Sequence, residues 1–367
     1  MLILSQLEKL VFETLTWFDI NERPLTTFEC WYYMSTFAED CGFQAMSEGD
    51  GGSRASEASR GVCFGGFRQI NKKLIGAQFT KDGIASSSTT LSDVTESLIN
   101  LQNKNLVKSR NGFWQLASSS DWLDGRQQKE RWVIIKWQRA LKGVRLISYL
   151  PFVKMVAVGN SVAWFAPRKK NSDIDLFIVA SAKHLWLVRL LVSLITQIKG
   201  LRRHSNKIDN RLCLSFYTTT DNLSLKNLSY NFDPYLCYWI ASLIPLYNDG
   251  VYLKWREANN WVGEYLPSWH KAMEKITPLE RIKLSPLCNR LKLIVETVLD
   301  WLGEKWLDKL AKKIQWSRLK KYLGENLESA GTNVVVNEQM IKMHTNDRRA
   351  ELALLFIDKL KGLKLLE

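Results

Sequence analysis

The sequence predicts an α/β (α+β) protein: a small mixed sheet with helices at its centre, helices and a hairpin ahead of it, and a helical region behind. Three observations predict this. The apolar run Val156–Val158 ends in Gly159, Asn160 and Ser161, as a buried strand feeding a tight turn would, and Ser172–Val179 follows as a second strand rich in β-branched and aromatic residues. Lys183–Leu191 is apolar almost all round, the pattern of a helix buried against a sheet, and Leu212–Thr218 follows as a third strand. From about Leu223 onward the apolar positions recur mostly at helical spacing.

The elements before this core follow in order. Leu7, Leu10, Val11, Leu15 and Phe18 recur at helical spacing and predict a helix over residues 3–18. Phe28–Met34 predicts a second helix, capped by Thr26 or Thr27. Leu91–Leu101 predicts a third, ending near Asn103, and Leu106–Leu116 carries Asn111–Gly112 between two alternating runs, a strong hairpin signal. Three helices and a hairpin resemble a winged helix. The outer positions of the third helix, Ser92, Asp93, Glu96 and Asn100, are neutral or acidic and would repel the phosphates of a major groove. Between the second and third helices, Ser47–Ser56 is rich in Gly and Ser, so about 44–90 reads as an insertion, carrying Arg54, Arg60, Arg68, Lys72 and Lys73. Residues 126–150 form a basic helical stretch with Arg126, Lys129, Arg131, Lys136, Arg139, Lys142 and Arg145. After the third strand, Pro234–Tyr247, part of Val251–Val262, Leu291–Trp316 and roughly Thr345–Leu363 predict helices. The expected domains are 1–120, 121–222 and 223–367.

Composition narrows the function. A formal charge of +14 favours a polyanionic partner, RNA, DNA or nucleotide phosphates. Most of the 15 Trp residues fall in apolar periodic segments and read as core side chains. Six cysteines without CxxC spacing argue against zinc and for reduced thiols in a cytoplasm. The N-terminal stretch lacks the pattern of a signal peptide, and the most lipid-like run, Leu185–Ile198, contains Arg189 and is too short to span a bilayer, so no membrane is expected.

The chemistry gathers at the turn and the second strand. Asp173 and Asp175 are two apart, so on a strand they share a face, and paired carboxylates call for a positive charge between them. Strand, Gly–Ser-type turn, short helix and Asp-x-Asp strand resemble the nucleotidyltransferase fold of the polymerase-β type. The resemblance implies that Asp173 and Asp175 bind Mg²⁺ or Mn²⁺ and that Gly159, Asn160 and Ser161 cradle the phosphates of an NTP. Lys169 and Lys170, beside Arg168 in the following loop, would assist as phosphate-binding cations, and Arg202, Arg203, His204, Lys207 and Arg211 form a second basic group. The implied activity moves a nucleoside monophosphate from an NTP to an acceptor hydroxyl.

The order also resembles uncharacterised bacterial nucleotidyltransferase-domain proteins. The shared features are Thr16–Ile20 with Pro24–Thr26, Gly112–Phe113–Trp114, the Gly–Asn–Ser turn, Ser172–Asp175, and His344–Arg349. Two departures matter. Asn160 separates Gly159 from Ser161, although Asn tolerates left-handed backbone. The third strand carries no acid: Cys213, Ser215 and Tyr217 are expected on one face and Leu212, Leu214, Phe216 and Thr218 on the other. Asp209, just before that strand, is the nearest substitute for a third catalytic acid, followed by Asp221. Two readings stay open, an active metal-dependent nucleotidyltransferase and a degenerate domain that binds nucleotide or nucleic acid. His344, Asn346, Asp347, Arg348 and Arg349 either cap the last helix or reach the nucleotide pocket.

Overall fold

Among the described residues, the N-terminal part of the chain carries three helices, each started by a capping box. In this computed structural model, which describes residues 3–37, 89–167, 169–204, 207–269, 282–327 and 332–363, they are α1 (Gln6–Ile20), α2 (Thr27–Tyr32) and α3 (Leu91–Asn103). The caps are Ser5 with Glu8, Thr26 with Glu29, and Thr90 with Asp93; in each the hydroxyl accepts a backbone N–H and the carboxylate takes the cap's own N–H. Strands β1 (Leu25–Thr26), β2 (Val107–Arg110) and β3 (Phe113–Leu116) form an antiparallel sheet in the order β1-β3-β2. The expected hairpin is present, with Asn111 (φ 54°) and Gly112 (φ 80°) both left-handed, as a tight turn between twisted strands requires. The expected Gly/Ser-rich insertion and Arg168 lie outside the described residues.

The long helix α4 (Leu123–Ser148) leads into a six-stranded mixed sheet. Its strands are β4 (Val153–Val158), β5 (Ile174–Ala180), β6 (Leu212–Thr219), β7 (Ile244–Asn248), β8 (Val334–Val336) and β9 (Met340–Met343), in the spatial order β7-β4-β5-β6-β9-β8. β4 and β5 are antiparallel; β5 and β6 are parallel, joined by helix α6 (Leu185–Ile198). The short α5 (Asn160–Ala163) follows the β4 turn. One sheet face packs Met155, Ala157, Phe177, Val179 and Phe216 against a core shared with α1 and with α7 (Pro234–Ser242), α8 (Tyr252–Ala258) and α10 (Arg349–Gly362). The other packs Val156, Val158, Leu176, Ile178, Leu214 and Tyr217 against α4, α6 and α9 (Pro286–Leu323).

The chain from 223 onward is not wholly helical. It supplies β7, β8 and β9, and the helix expected over Pro234–Tyr247 stops at Ser242. Pro245 sits in β7, at the sheet edge, where a residue without an N–H is tolerated. A register shift between Asp175/Cys213 and Phe177/Phe216 breaks the alternation of β6, so Phe216 leaves the face it was expected to share with Leu212 and Leu214, and Tyr217 joins them there. The tryptophans divide too. Trp17, Trp186, Trp255 and Trp269 are fully buried, whereas Trp301 and Trp306 of α9 stand largely in solvent. That helix, kinked at Gly303 (φ 129°), turns its polar Lys292, Glu296 and Asp308 inward to carbonyl and N–H groups. No helix of the described residues is long and apolar enough to cross a membrane.

Gly143 is the close-approach point between α4 and the sheet, since a Cβ there would overlap Leu212 Cδ1 in the core. Gly143→Ala is expected to destabilise by about 1–3 kcal/mol, the usual cost of overpacking, despite the better helix propensity of Ala. Urea unfolding that gives equal or greater stability for the variant would contradict this packing.

Candidate functional site

Gly159 follows β4 in extended backbone, and its N–H donates to the Asp175 carbonyl at 3.1 Å. Its lack of a side chain reflects close approach: a Cβ would lie 3.1 Å from Leu243 and 3.2 Å from Trp239. Asn160 then takes the left-handed conformation, φ 53°, as its residue type allows. Its Nδ2 donates to Asp175 Oδ2 at 2.9 Å, and its Oδ1 accepts from the Tyr235 hydroxyl at 3.0 Å. Asn160 therefore orients a carboxylate, a role that turn geometry alone did not reveal.

Asp175 lies on β5 with its side chain on the Phe177 face, and Asp173 precedes the strand in the same alternation. The Arg203 guanidinium donates to Asp173 Oδ2 at 2.6 Å and to Cys213 Sγ at 3.7 Å. Cys213 stands opposite Asp175 in the β5–β6 register, at the place where a third carboxylate on β6 would face the pair. Ligand atoms of Asp173, Asp175 and Cys213 all lie within 4.8 Å of one another. Burial, and then the negative charge of Asp173, push the Asp175 carboxyl up to about 6, against the hydrogen bonds from Asn160 and Cys213. Burial and both aspartates push the Cys213 thiol well above its ordinary range, so it stays protonated at neutral pH.

These donors suit one hard divalent cation held by two carboxylates, such as Mg²⁺ or Mn²⁺, better than a soft metal that needs thiolate. Asp209 does not complete the set. It is exposed in the turn before β6, accepts from its neighbour Asn210 at 2.6 Å, and is outside the Asp173–Asp175–Cys213 group. Asp221 sits beyond the far end of β6 and accepts from Gln339.

The site opens into a cavity of about 1280 Å³. Asn160, Ser161 and Asp175 line it, with Arg203, Ser215 and His344. Lys169 and Lys170, expected to bind phosphate, are exposed in the preceding turn and are not among the lining residues; Gly159 is also outside the lining, with its N–H already used. The fully buried Lys136 of α4 is what holds that turn, donating to the Lys170 carbonyl at 2.9 Å, the Ser172 carbonyl at 2.5 Å and Asn210 Oδ1 at 2.9 Å. The only sequence signal for this role was its place in a basic helical stretch.

The segment His344–Arg349 both starts the last helix and reaches the cavity wall. Asp347 accepts the backbone N–H of Arg349 at 2.9 Å at the start of α10, and every residue of the segment lines the cavity. His344 Nε2 lies 3.1 Å from Ser215 Oγ, and burial, followed by the charge of Lys342, lowers its imidazole to about 4, leaving it neutral at pH 7.

Arg203 is the cation that offsets Asp173 in this arrangement. Arg203→Gln is therefore expected to strengthen Mg²⁺ binding several-fold at low salt, because the ion no longer competes with a guanidinium. Calorimetry giving unchanged or weaker binding in the variant would contradict that competition.

No protein-family model, curated protein or solved structure matches the chain.

Proposed function

We propose that the protein is a metal-dependent nucleotidyltransferase that moves a nucleoside monophosphate from an NTP to an acceptor hydroxyl. The observation that carries this reading is the convergence of the Asp173 and Asp175 carboxylates beside a large cavity that Asp175 lines, with cationic groups in its wall. Supporting it, antiparallel β4–β5 and the parallel β5–α6–β6 crossover give a strand order compatible with a nucleotidyltransferase core over 121–222. The three helices and hairpin of 1–120 are compatible with a winged helix.

Asp173 and Asp175 would hold Mg²⁺ or Mn²⁺, which when bound supplies charge stabilisation to the reacting phosphate. Asn160 fixes the orientation of Asp175, Ser161 offers a hydroxyl to phosphate oxygens, and Arg203 supplies a positive charge beside them. A cytoplasmic setting is in keeping with four free cysteines, Cys30, Cys213, Cys237 and Cys288, among the described residues.

Cys213 favours a second reading. A protonated thiol where a third acid would face the pair leaves no carboxylate there to take a proton from an attacking hydroxyl, so the domain would bind nucleotide, RNA or DNA without turnover. Pyrophosphate release from each NTP with Mg²⁺ or Mn²⁺, measured beside the Asp173→Asn/Asp175→Asn double variant, tests the two. Release lost in the variant supports transfer; no release from wild type that still binds nucleotide supports the binding domain.

A further inference from the structure

The cavity continues past the site of the aspartate pair. β9 lies alongside β6 only from Phe216 onward, and the cavity follows the start of β6 round to the opposite sheet face, between α6 and the second half of α9. There Arg189, Gln197, Arg202, Gln315, Arg318 and Tyr322 line it.

Arg189 is the unusual member. It is 8 % exposed, yet no carboxylate pairs with it among the described residues. Its guanidinium donates to Gln315 Oε1 at 2.6 Å and to Met343 Sδ at 3.6 Å, and its Nε has no partner. Arg23 and Arg126 pair with Glu29, and Arg349 with Asp233 and Asp347; Arg256, also buried without a carboxylate among the described residues, donates to the Trp269 carbonyl and stacks over that ring, and it does not line the cavity. For Arg189, burial disfavours the charged form, the Tyr217 hydroxyl works against that, and Arg202 adds a nearby charge of the same sign. Burying an unpaired guanidinium is costly, and an anion from outside the chain would offset that cost.

We propose that Arg189, Arg202 and Arg318 form a phosphate subsite in which the acceptor of the transferred nucleotide places a phosphate group. Its assignment to the acceptor rests on the transfer reaction proposed above, whereas anion binding itself does not. Several guanidinium forks with no acid between them match the charge and multiple oxygens of a phosphate better than a single carboxylate. The subsite lies on the α6–α9 face, away from the Asp175 face, so it is separate from the Asn160–Ser161 turn. Leu194, Ile314 and Tyr322 form an exposed apolar and aromatic rim for the rest of the molecule.

The probe is inorganic phosphate, titrated at low salt in EDTA and followed by melting temperature and calorimetry. Wild type is expected to bind and to be stabilised. Arg189→Met should bind phosphate about 10- to 100-fold more weakly, while melting no lower than wild type without phosphate, because an apolar side chain replaces an unpaired buried charge. Unchanged phosphate affinity in this variant overturns the subsite. Arg318→Ala, at an exposed position, gives an independent reading: about tenfold weaker binding supports the subsite and unchanged binding overturns it. Asp175→Asn should keep the phosphate response while losing nucleotidyl transfer; loss of the phosphate response there would move the anion to the aspartate face and overturn the proposal. Acetate at equal concentration should produce no stabilisation, and a response equal to phosphate would overturn the phosphate assignment.

Discussion

Asp175→Asn is expected to lower metal-dependent pyrophosphate release by about 10³-fold or more and, at the same time, to stabilise the metal-free protein at pH 8. The first effect follows from removing one of the two carboxylates that the described residues bring together for the ion. The second follows from the cost of keeping that carboxylate charged. Its pKa is raised to about 6 by burial and by Asp173, from 3.8 without these effects. The folded state therefore binds a proton more tightly than the unfolded chain. The associated stability is fully present below about pH 4 and is lost as pH rises through 6. Two pKa units correspond to on the order of 2–3 kcal/mol. Asn is neutral at every pH and keeps an acceptor for Asn160 Nδ2, so it retains this stability. Thermal melts in EDTA should show variant and wild type alike near pH 4 and diverging above pH 6, and excess Mg²⁺ should narrow or reverse the gap by stabilising wild type alone. Equal melting at pH 8 would contradict the cost of the charge, and undiminished pyrophosphate release would remove Asp175 from the metal site.

Local pattern carried a good part of this site. The Asp-x-Asp alternation, the turn ahead of it and the left-handed tolerance of Asn160 depend on neighbours within about twenty residues, and all were legible in the sequence. The absence of an acid on β6 was equally plain. What escaped depends on partners far along the chain. β9 earns its strand conformation by pairing Lys342 with Phe216, and a short run such as Met340–Met343 carries little periodic signal without that partner. The Arg203–Asp173 pair forms only when two separate loops meet, and the support from Lys136 only when α4 meets the turn before β5. The register shift in β6 could not be read from alternation, which assumes that there is none.

Helix α9 makes the limit clearest. Its apolar spacing was recognised, but periodicity says that a face exists and not which way it points. Lys292 donates to the Val153 carbonyl, Glu296 accepts the Phe152 N–H, and Asp308 accepts the Leu187 N–H. These bonds satisfy backbone groups at the margins of the sheet and α6, and they rotate Trp301 outward, with Trp306 exposed as well. Satisfying buried polar groups outweighs the ordinary preference for turning apolar side chains inward.

The largest loss of stability is expected from Arg349→Met. Arg349 is 5 % exposed and joins four parts of the chain: its guanidinium donates to Asp233 at 2.8 Å, to Asp347 at 2.8 Å, to Thr332 Oγ1 at 2.6 Å and to the Leu228 carbonyl at 2.9 Å, and it stacks over Tyr230. Asp233 has a fully buried side chain and caps α7 through the Leu236 N–H. Methionine fills much of the volume but leaves that carboxylate without its counter-charge, which typically costs about 3–5 kcal/mol. Urea unfolding measures the loss. Adding Asp233→Asn to Arg349→Met should restore part of it, because Asn keeps the cap and removes the unpaired charge. Recovery would identify charge burial as the main cause. A double variant as unstable as the sum of the single ones would assign the loss to the hydrogen-bonding fork itself, and an Arg349→Met protein as stable as wild type would show that the cluster does not hold the α10 start to the sheet domain.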